Sequence, residues 1–383
     1  IGRWQFSCAE LAILLAVVAH VWDLLVAGAL RAAVRGWWQR RSLADLAVAL
    51  YVALGLFAAV RAVYQHEALR EWRLVFAEPA LLYALLRSRV RDASTAAQAA
   101  RMLLYVGVGL AMYALVAYTS PAGVIEAEGA RRARAYFGSP NNLALLLERV
   151  LPLGLALGLA MRRQRWLWLG VAGLILAAIG LTFSRGAWVL GVPAGLLTVL
   201  GLHSRRSRRV ALLLIVCGVL LIVPLSRMPR FADLANLASG TSFLRVQLWR
   251  SAWQMGSDHW LWGVGPDNFL YYYGDYILPG AEVDRWLSHP HNIVLDFWLR
   301  LGLPGAVLLA LVAGVAIRSA RLALRQAGPH RVIAIGLAGG LAAMLAHGLV
   351  DSSLFVVELA GWFLAALALL QVLAGEDLTA SPS

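Results

Sequence analysis

The stretch 355-FVVELAGWFLAALALLQVLA-374 contains one acidic residue, Glu358, and no basic residue. An α-helix needs about 20 mostly apolar residues to cross the hydrocarbon core of a bilayer. Runs of this kind recur along the chain. The sequence therefore predicts eleven membrane-spanning helices, at 8–30, 43–64, 72–86, 95–118, 142–161, 166–183, 186–202, 210–225, 292–315, 332–350 and 355–374.

The composition agrees with this interpretation. Of the 383 residues, 61% are hydrophobic and 14% are charged, against about 45–50% and about 25% in soluble globular chains. This excludes intrinsic disorder and leaves too little polar surface for a single soluble core. The two cysteines, Cys8 and Cys217, lie in apolar runs and exclude a disulfide scaffold. The predicted fold class is an all-α, polytopic membrane protein.

The arginines predict the orientation. All 34 basic residues are arginines, and the formal net charge is +13. Nucleic-acid binding is the usual inference from such a charge, but 18 of the arginines occupy five alternate short loops, which is where the positive-inside rule places them. We expect these loops and the tail Glu376–Ser383 to be cytoplasmic, and no nucleic-acid partner. The five groups are Arg31, Arg35, Arg40 and Arg41; Arg87, Arg89 and Arg91; Arg162, Arg163 and Arg165; Arg205, Arg206, Arg208 and Arg209; and Arg318, Arg321, Arg325 and Arg331.

One connection is much longer than the others. The predicted organisation is 1–225, with helices 1–8; 226–290, a large external loop; and 291–383, with helices 9–11 and a cytoplasmic tail. Loops of this length are usually functional or disordered. Residues 241–256 have helical apolar spacing and the loop is rich in aromatics, so we expect an ordered, helical loop.

Polar residues interrupt the external ends of the predicted spans. Ser184-Arg185-Gly186 breaks an apolar stretch, and the loop helix carries Arg245 and Arg250. Arginine at membrane depth is costly unless it faces a cavity or a partner, which favours a binding site. Two alternatives remain: Arg185 could be a snorkelling arginine that ends a helix, and Arg245 and Arg250 could form structural salt bridges. A spacing of five puts Arg245 and Arg250 roughly 140° apart on a helix, so they cannot share one ligand by the same face, and Arg245 is preferred.

Two histidines flank a proline in Ser288-His289-Pro290-His291-Asn292, and Asp351 ends a later span. A general base, a donor to phosphate, a polar helix cap and a zinc ligand are all compatible with such histidines, and Asp351 could equally be an exposed carboxylate. Neither a nearby cysteine pair nor an HExxH motif is present, so no metal is predicted. Arginine matches phosphate oxygens bidentately, and a lipid-linked diphosphate is the ligand that this arrangement suggests.

The chain resembles the O-antigen ligase and polymerase superfamily of bacterial envelope glycosyltransferases. The likeness rests on four motifs: Ser139-Pro140-Asn141-Asn142, Ser184-Arg185-Gly186, the loop segment from Arg245 to Phe269, and His291-Asn292 followed after nine residues by Gly302-x2-Gly305. Several members have twelve spans, so the resemblance implies about 11–12 helices, a large helical periplasmic loop, and a first helix missing before Ile1.

The resemblance implies transfer of a glycan from undecaprenyl diphosphate to a sugar hydroxyl, with inversion, without cofactor or metal. The site would face the periplasm from the bacterial inner membrane, in contact with membrane lipid. The acceptor is lipid A–core in a ligase and another lipid-linked glycan in a polymerase. The ligase is our leading hypothesis and the polymerase the alternative. A transporter of lipid-linked sugars is a third, which the lack of an internal repeat disfavours.

The resemblance also implies roles for individual residues. His291 would be the base for the acceptor hydroxyl, with His289 as a competitor for that role. Arg185 and Arg245 would hold the diphosphate, and Asp351 would orient a neighbour. The remaining expected substrate-binding residues are Arg250, Asn292 and Asn142.

Overall fold

The computed structural model describes residues 8–127, 129–226 and 240–375. Of these described residues, 80% are helical, which confirms the all-α class. The helices are α1 Cys8–Val26, α2 Leu30–Arg40, α3 Leu43–Arg61, α4 Gln65–Glu71, α5 Glu78–Arg89, α6 Ala93–Ala117, α7 Pro140–Ala160, α8 Arg165–Thr182, α9 Val192–His203, α10 Arg205–Ser226, α11 Gly240–Asp258, α12 Phe269–Tyr276, α13 Ile293–Arg325, α14 Arg331–Gly348 and α15 Val357–Ala374.

Short elements complete the described chain. One π-helical segment, Trp72–Ala77, joins α4 to α5, and another, Ala187–Gly191, precedes α9. A two-stranded antiparallel hairpin pairs β1 (Val124–Ala127) with β2 (Ala130–Ala133). Three 3-10 turns lie at Pro121–Gly123, Arg162–Gln164 and Glu282–Asp284.

Seven of the described helices are long and apolar enough to cross a membrane: α3, α6, α7, α8 extended from Arg162, α13, α14 and α15. Helices α1 and α2 form an eighth candidate, bent by 111°. Three further predicted segments are also helical. Segment 72–86 covers the π-helical segment Trp72–Ala77 and most of α5, segment 186–202 lies in the shorter apolar helix Ala187–His203, and segment 210–225 lies in α10. The protein is a polytopic membrane protein.

The most buried helices, α7 and α15, occupy the centre of the bundle. The arginine-rich connections lie at one end. There, Arg87 forms a buried ion pair with Asp45, which also accepts a hydrogen bond from Tyr83 Oη, and this ties α5 to α3. Arg331 donates to the carbonyl of Leu202 at the same end. The predicted cytoplasmic tail, 376–383, and the loop residues Arg227, Arg230 and Asp233 lie outside the described residues.

The opposite end carries the β-hairpin, the segment 240–290 and the turn 349–356. The segment 240–290 is anchored on α13 where that helix breaks at Gly302, whose φ of 69° and ψ of −161° are non-helical. The freed backbone groups are used in the contact. Val264 N donates to Leu299 O over 2.7 Å, and Leu303 N donates to Trp260 O over 2.9 Å. The glycine of the Gly302-x2-Gly305 motif thus serves to seat the long loop.

A second anchor is a buried amide. Asn268 is fully buried, and its Oδ1 accepts from Tyr64 N over 3.0 Å while its Nδ2 donates to Tyr64 O and Pro266 O. A buried side-chain amide must satisfy its donors and its acceptor, so Asn268 fixes the loop against the α3–α4 connection. The described part of the long loop, 240–290, is therefore held against the bundle at two points.

Replacing Gly302 with alanine should destabilise the protein by about 3 kcal/mol or more, because its backbone conformation is essentially restricted to glycine and a Cβ atom there would collide with Leu261 O. Gly314→Ala in the same helix is the matched control, since no neighbouring atom lies near its Cβ position. We expect a lower thermal unfolding temperature in detergent for Gly302→Ala and an equal or slightly higher one for Gly314→Ala. Equal unfolding of Gly302→Ala and wild type would contradict this account.

Candidate active site

A cavity of about 570 Å³ opens at the end of the bundle opposite the arginine-rich loops. Its walls are the break between α8 and the helix that begins at Arg185, the N-terminal half of α11, the start of α13 and the turn after α14. Apolar side chains line part of it, including Phe183, Val189, Leu190, Leu244 and Val350. The polar side chains converging on it include Arg132, Arg185, Arg245, His291, His347 and Asp351.

His291 is held in an unusual backbone conformation. Its φ is 50°, a left-handed value that costs energy in a residue with a Cβ atom and that occurs preferentially at functional sites. Two contacts fix the turn: Trp249 Nε1 donates to Pro290 O over 3.1 Å, and the Asn292 side chain caps α13 by accepting from Val294 N and Leu295 N. The chain therefore sets the direction of the imidazole before any ligand binds.

Asp351 is the partner of that imidazole. His291 Nδ1 lies 2.6 Å from Asp351 Oδ1. The carboxylate also accepts from Asn141 Nδ2 on Oδ2 over 2.7 Å and from Ser352 N on Oδ1 over 2.8 Å. Burial alone would raise the pKa of Asp351, but the electrostatic interaction and the hydrogen bond with His291 hold that pKa well below its usual range.

The consequence is a defined tautomer. With Asp351 ionised, His291 donates its Nδ1 proton to the carboxylate, and Nε2 is left as an acceptor. An imidazole oriented by a buried carboxylate is the arrangement of a general base. The structure thus pairs two residues that lie 60 positions apart in the sequence.

Arg132 is a cavity residue that the sequence did not single out. It projects from β2, where its Nε donates to Thr182 O over 2.8 Å and its Nη2 donates to Asn141 Oδ1 over 2.9 Å. Asn141 in turn donates to Asp351, so a chain of hydrogen bonds runs from Arg132 to His291. One feature of the sequence could have indicated Arg132. It belongs to a group of three arginines, Arg131, Arg132 and Arg134, in a loop on the side of the membrane where the positive-inside rule disfavours arginine.

Arg185 and Arg245 both line the cavity, from different elements. Arg185 begins the helix that follows the break, and Arg245 lies one turn before Trp249 on α11. The cavity therefore contains two guanidinium groups besides Arg132, and it brings together four of the predicted site residues, namely Arg185, Arg245, His291 and Asp351.

The other predicted residues lie around the cavity or away from it. Arg250 is exposed and bonds to Gln247, consistent with its predicted separation from Arg245. Asn292 is the helix cap described above. Asn142 is adjacent to Asn141, but Asn141 makes the contact with Asp351. None of these three is among the residues that line the cavity.

His289 stands behind the His291–Asp351 pair. Its ring centroid is 4.3 Å from that of His291, and its Nε2 is 3.9 Å from Asp351 Oδ1. Burial, with the neighbouring His291, lowers the pKa of His289 to about 4. The ring is therefore neutral at physiological pH and packs against the His291 ring from outside the cavity.

His289, His291 and Asp351 also have one ligand atom each within 4.8 Å of the others, so they could in principle hold a metal ion. The geometry favours the hydrogen-bonded interpretation. Two ligand atoms at about 2.1 Å from a tetrahedral zinc ion lie about 3.4 Å apart, whereas His291 Nδ1 and Asp351 Oδ1 are only 2.6 Å apart. The pair is spaced for sharing a proton.

The helices, the segment 240–290 and the arginine- and histidine-lined cavity define a multi-pass membrane protein with an enzyme-like site. Comparison with known families agrees: residues 169–310 match the family model described as O-antigen ligase. This match confirms the resemblance to that superfamily. No curated protein matches the chain significantly. The matched segment includes Arg185, Arg245 and His291, whereas Arg132, Asn141 and Asp351 lie outside it.

Chelators should not change the activity of the protein, because His291 Nδ1 and Asp351 Oδ1 are occupied with each other. The measurement is glycan transfer by purified protein before and after dialysis against EDTA, with the metal content of both samples determined. Loss of most of the activity, restored by a stoichiometric divalent ion, would show that the three residues are metal ligands.

Proposed function

We propose that the protein transfers a glycan from a polyprenyl diphosphate, undecaprenyl diphosphate in bacteria, to a sugar hydroxyl on the periplasmic side of the inner membrane. The observation that carries the proposal is the His291–Asp351 pair in a cavity that Arg185 and Arg245 also line. The matched family supports an O-antigen ligase or polymerase activity. The donor, the acceptor and the residue roles are our inference from the geometry.

The position of the cavity supports the proposed orientation. The arginine-rich loops lie at the other end of the bundle, and such loops stay in the cytoplasm. The cavity would then face the periplasm. Its mixed lining suits a ligand with a charged headgroup and an apolar chain, since Val189 and Leu190 lie close in sequence to Arg185.

In the proposed reaction the acceptor hydroxyl gives its proton to His291 Nε2 while its oxygen attacks the anomeric carbon. The bond from that carbon to the diphosphate oxygen breaks, and its electron pair leaves with the diphosphate. Attack from the opposite face inverts the anomeric configuration. Guanidinium groups placed at the leaving group stabilise the charge that grows on it, so the diphosphate departs without an acid catalyst.

Asp351 acts through His291, as a positioning residue. It holds the tautomer that exposes Nε2 and stabilises the imidazolium that forms when the proton arrives. Arg132 and Asn141 fix the carboxylate from behind. The strained backbone of His291 and the cap at Asn292 limit the ways in which the base can turn.

His291→Ala should lower the rate of glycan transfer by 10²- to 10⁴-fold, the usual contribution of a general base. The assay uses purified protein in lipid vesicles, a synthetic undecaprenyl-diphosphate glycan and lipid A–core as acceptor. His66→Ala, at an exposed histidine, is the matched control and should transfer at the wild-type rate. A His291→Ala rate within threefold of wild type would contradict the assignment, and donor movement without a new glycosidic bond would indicate a transporter.

Arg245→Lys should raise the donor KM or lower kcat by at least tenfold, because lysine keeps the charge but loses the planar fork that binds phosphate bidentately. Arg131→Lys is the control: Arg131 is exposed and its guanidinium lies over Tyr118. Wild-type kinetics in Arg245→Lys would show that only the charge at this position matters.

A polymerase would use the same cavity with a second lipid-linked glycan as acceptor. Glycan analysis of a deletion strain separates the two activities. Long lipid-linked polymer that is not attached to lipid A–core would indicate a ligase, which is the outcome we expect. Single unpolymerised repeat units would indicate a polymerase.

A further inference from the structure

A second histidine–carboxylate pair lies in the same cavity wall. His347 lines the cavity near the end of α14, and its Nδ1 is 3.0 Å from both carboxylate oxygens of Glu148 on α7. His347 is 1% exposed and Glu148 is fully buried. The pair joins helices 199 residues apart in sequence, and the reaction described above does not use it.

The broken helix is shaped around this pair. A Cβ atom on Gly186 would collide with His347 Nε2, and one on Gly191 would collide with the Glu148 carboxylate. Between these two glycines runs the π-helical segment Ala187–Gly191, a distortion that often marks functional sites. The glycines let the imidazole and the carboxylate approach the backbone of this helix closely.

The orientation of the ring leaves one nitrogen for a ligand. Within the described part of the chain, the hydrogen bonds of His347 all leave from Nδ1 toward Glu148. Nε2 lies against Gly186, which with Arg185 lines the cavity. His347 therefore resembles His291, because a carboxylate fixes Nδ1 and leaves Nε2 for another partner.

Ser184 supplies an independent sign of a missing partner. It is 1% exposed and lines the cavity, and its Oγ has no hydrogen-bond partner among the described residues. Buried hydroxyl groups are rarely left unsatisfied. The first residues of the helix that begins at Arg185 also line the cavity, and helix N-termini favour phosphate groups.

We propose that His347, backed by Glu148, is a diphosphate-binding residue that donates a hydrogen bond from Nε2 to the leaving group, with Ser184 donating beside it. This rests on the proposed function. With an anionic acceptor at each ring nitrogen, the imidazole carries both protons, one directed to Glu148 and one to the diphosphate. The site then has two carboxylate-backed histidines with opposite tasks, since His291 accepts a proton and His347 donates a hydrogen bond.

Two substitutions separate this role from a structural one. In His347→Asn the amide nitrogen replaces Nδ1, so the contact with Glu148 is kept and Nε2 is lost. In His347→Gln the amide nitrogen reaches the position of Nε2. If His347 binds the diphosphate, Asn should weaken the binding of undecaprenyl diphosphate at least tenfold and Gln should weaken it less. If His347 only ties α14 to α7, the Gln variant should bind undecaprenyl diphosphate more weakly than the Asn variant.

The measurement is the affinity of the purified full-length protein for undecaprenyl diphosphate and for undecaprenol, which has the same chain without the charge. Glu148→Gln should also lose at least tenfold in diphosphate affinity, with undecaprenol binding unchanged, and it provides the test if a His347 variant does not fold. His66→Asn, at the exposed histidine, is the matched control.

The proposal is overturned if Glu148→Gln and His347→Asn bind undecaprenyl diphosphate within twofold of wild type, or if undecaprenol binding falls equally. Failure of the proposed function looks different. In that case the wild-type protein itself would bind the diphosphate no more tightly than undecaprenol, and His291→Ala would retain its transfer activity.

Discussion

The Asp351 carboxylate is the contact on which the candidate site depends. It accepts hydrogen bonds from three parts of the chain: the start of α7 through Asn141, the start of α13 through His291, and its own turn through Ser352 N. A buried carboxylate is costly unless it is paired and hydrogen-bonded. The same interactions that stabilise the charge therefore join the helix ends that form the cavity.

Behind this carboxylate lies a buried ionic network. The Arg300 guanidinium lies between Glu71 and Asp296, and Asp296 accepts from Ser352 Oγ over 2.6 Å. This links the α4 helix and α13 to the turn that carries Asp351. Removing one partner from such a network leaves an uncompensated buried charge, so we expect it to maintain the geometry of the turn at some distance from the reacting atoms.

The sequence predicted the fold class because apolar length is a local property: a run such as 355–374 identifies itself as a membrane helix. It also indicated Arg185, which interrupts an apolar run where charge is costly, Arg245 on the loop helix, and His291 and Asp351 at the external ends of predicted spans. It included Asn141 only as part of the Ser139-Pro140-Asn141-Asn142 motif, and it did not indicate Arg132 or the Glu148–His347 pair. Those contacts join residues from separate helices, and Glu148 and His347 read as ordinary members of apolar spans. Their roles depend on packing that no single stretch encodes.

The central claim is that the cavity holds a lipid diphosphate between arginines and two imidazoles. The most direct test is an experimental structure of the protein with undecaprenyl diphosphate. The account predicts phosphate oxygens about 3 Å from the guanidinium groups of Arg185 and Arg245 and from His347 Nε2, with His291 Nε2 open toward the site of the anomeric carbon. A diphosphate bound outside this cavity, or at the arginine-rich end of the bundle, would contradict it.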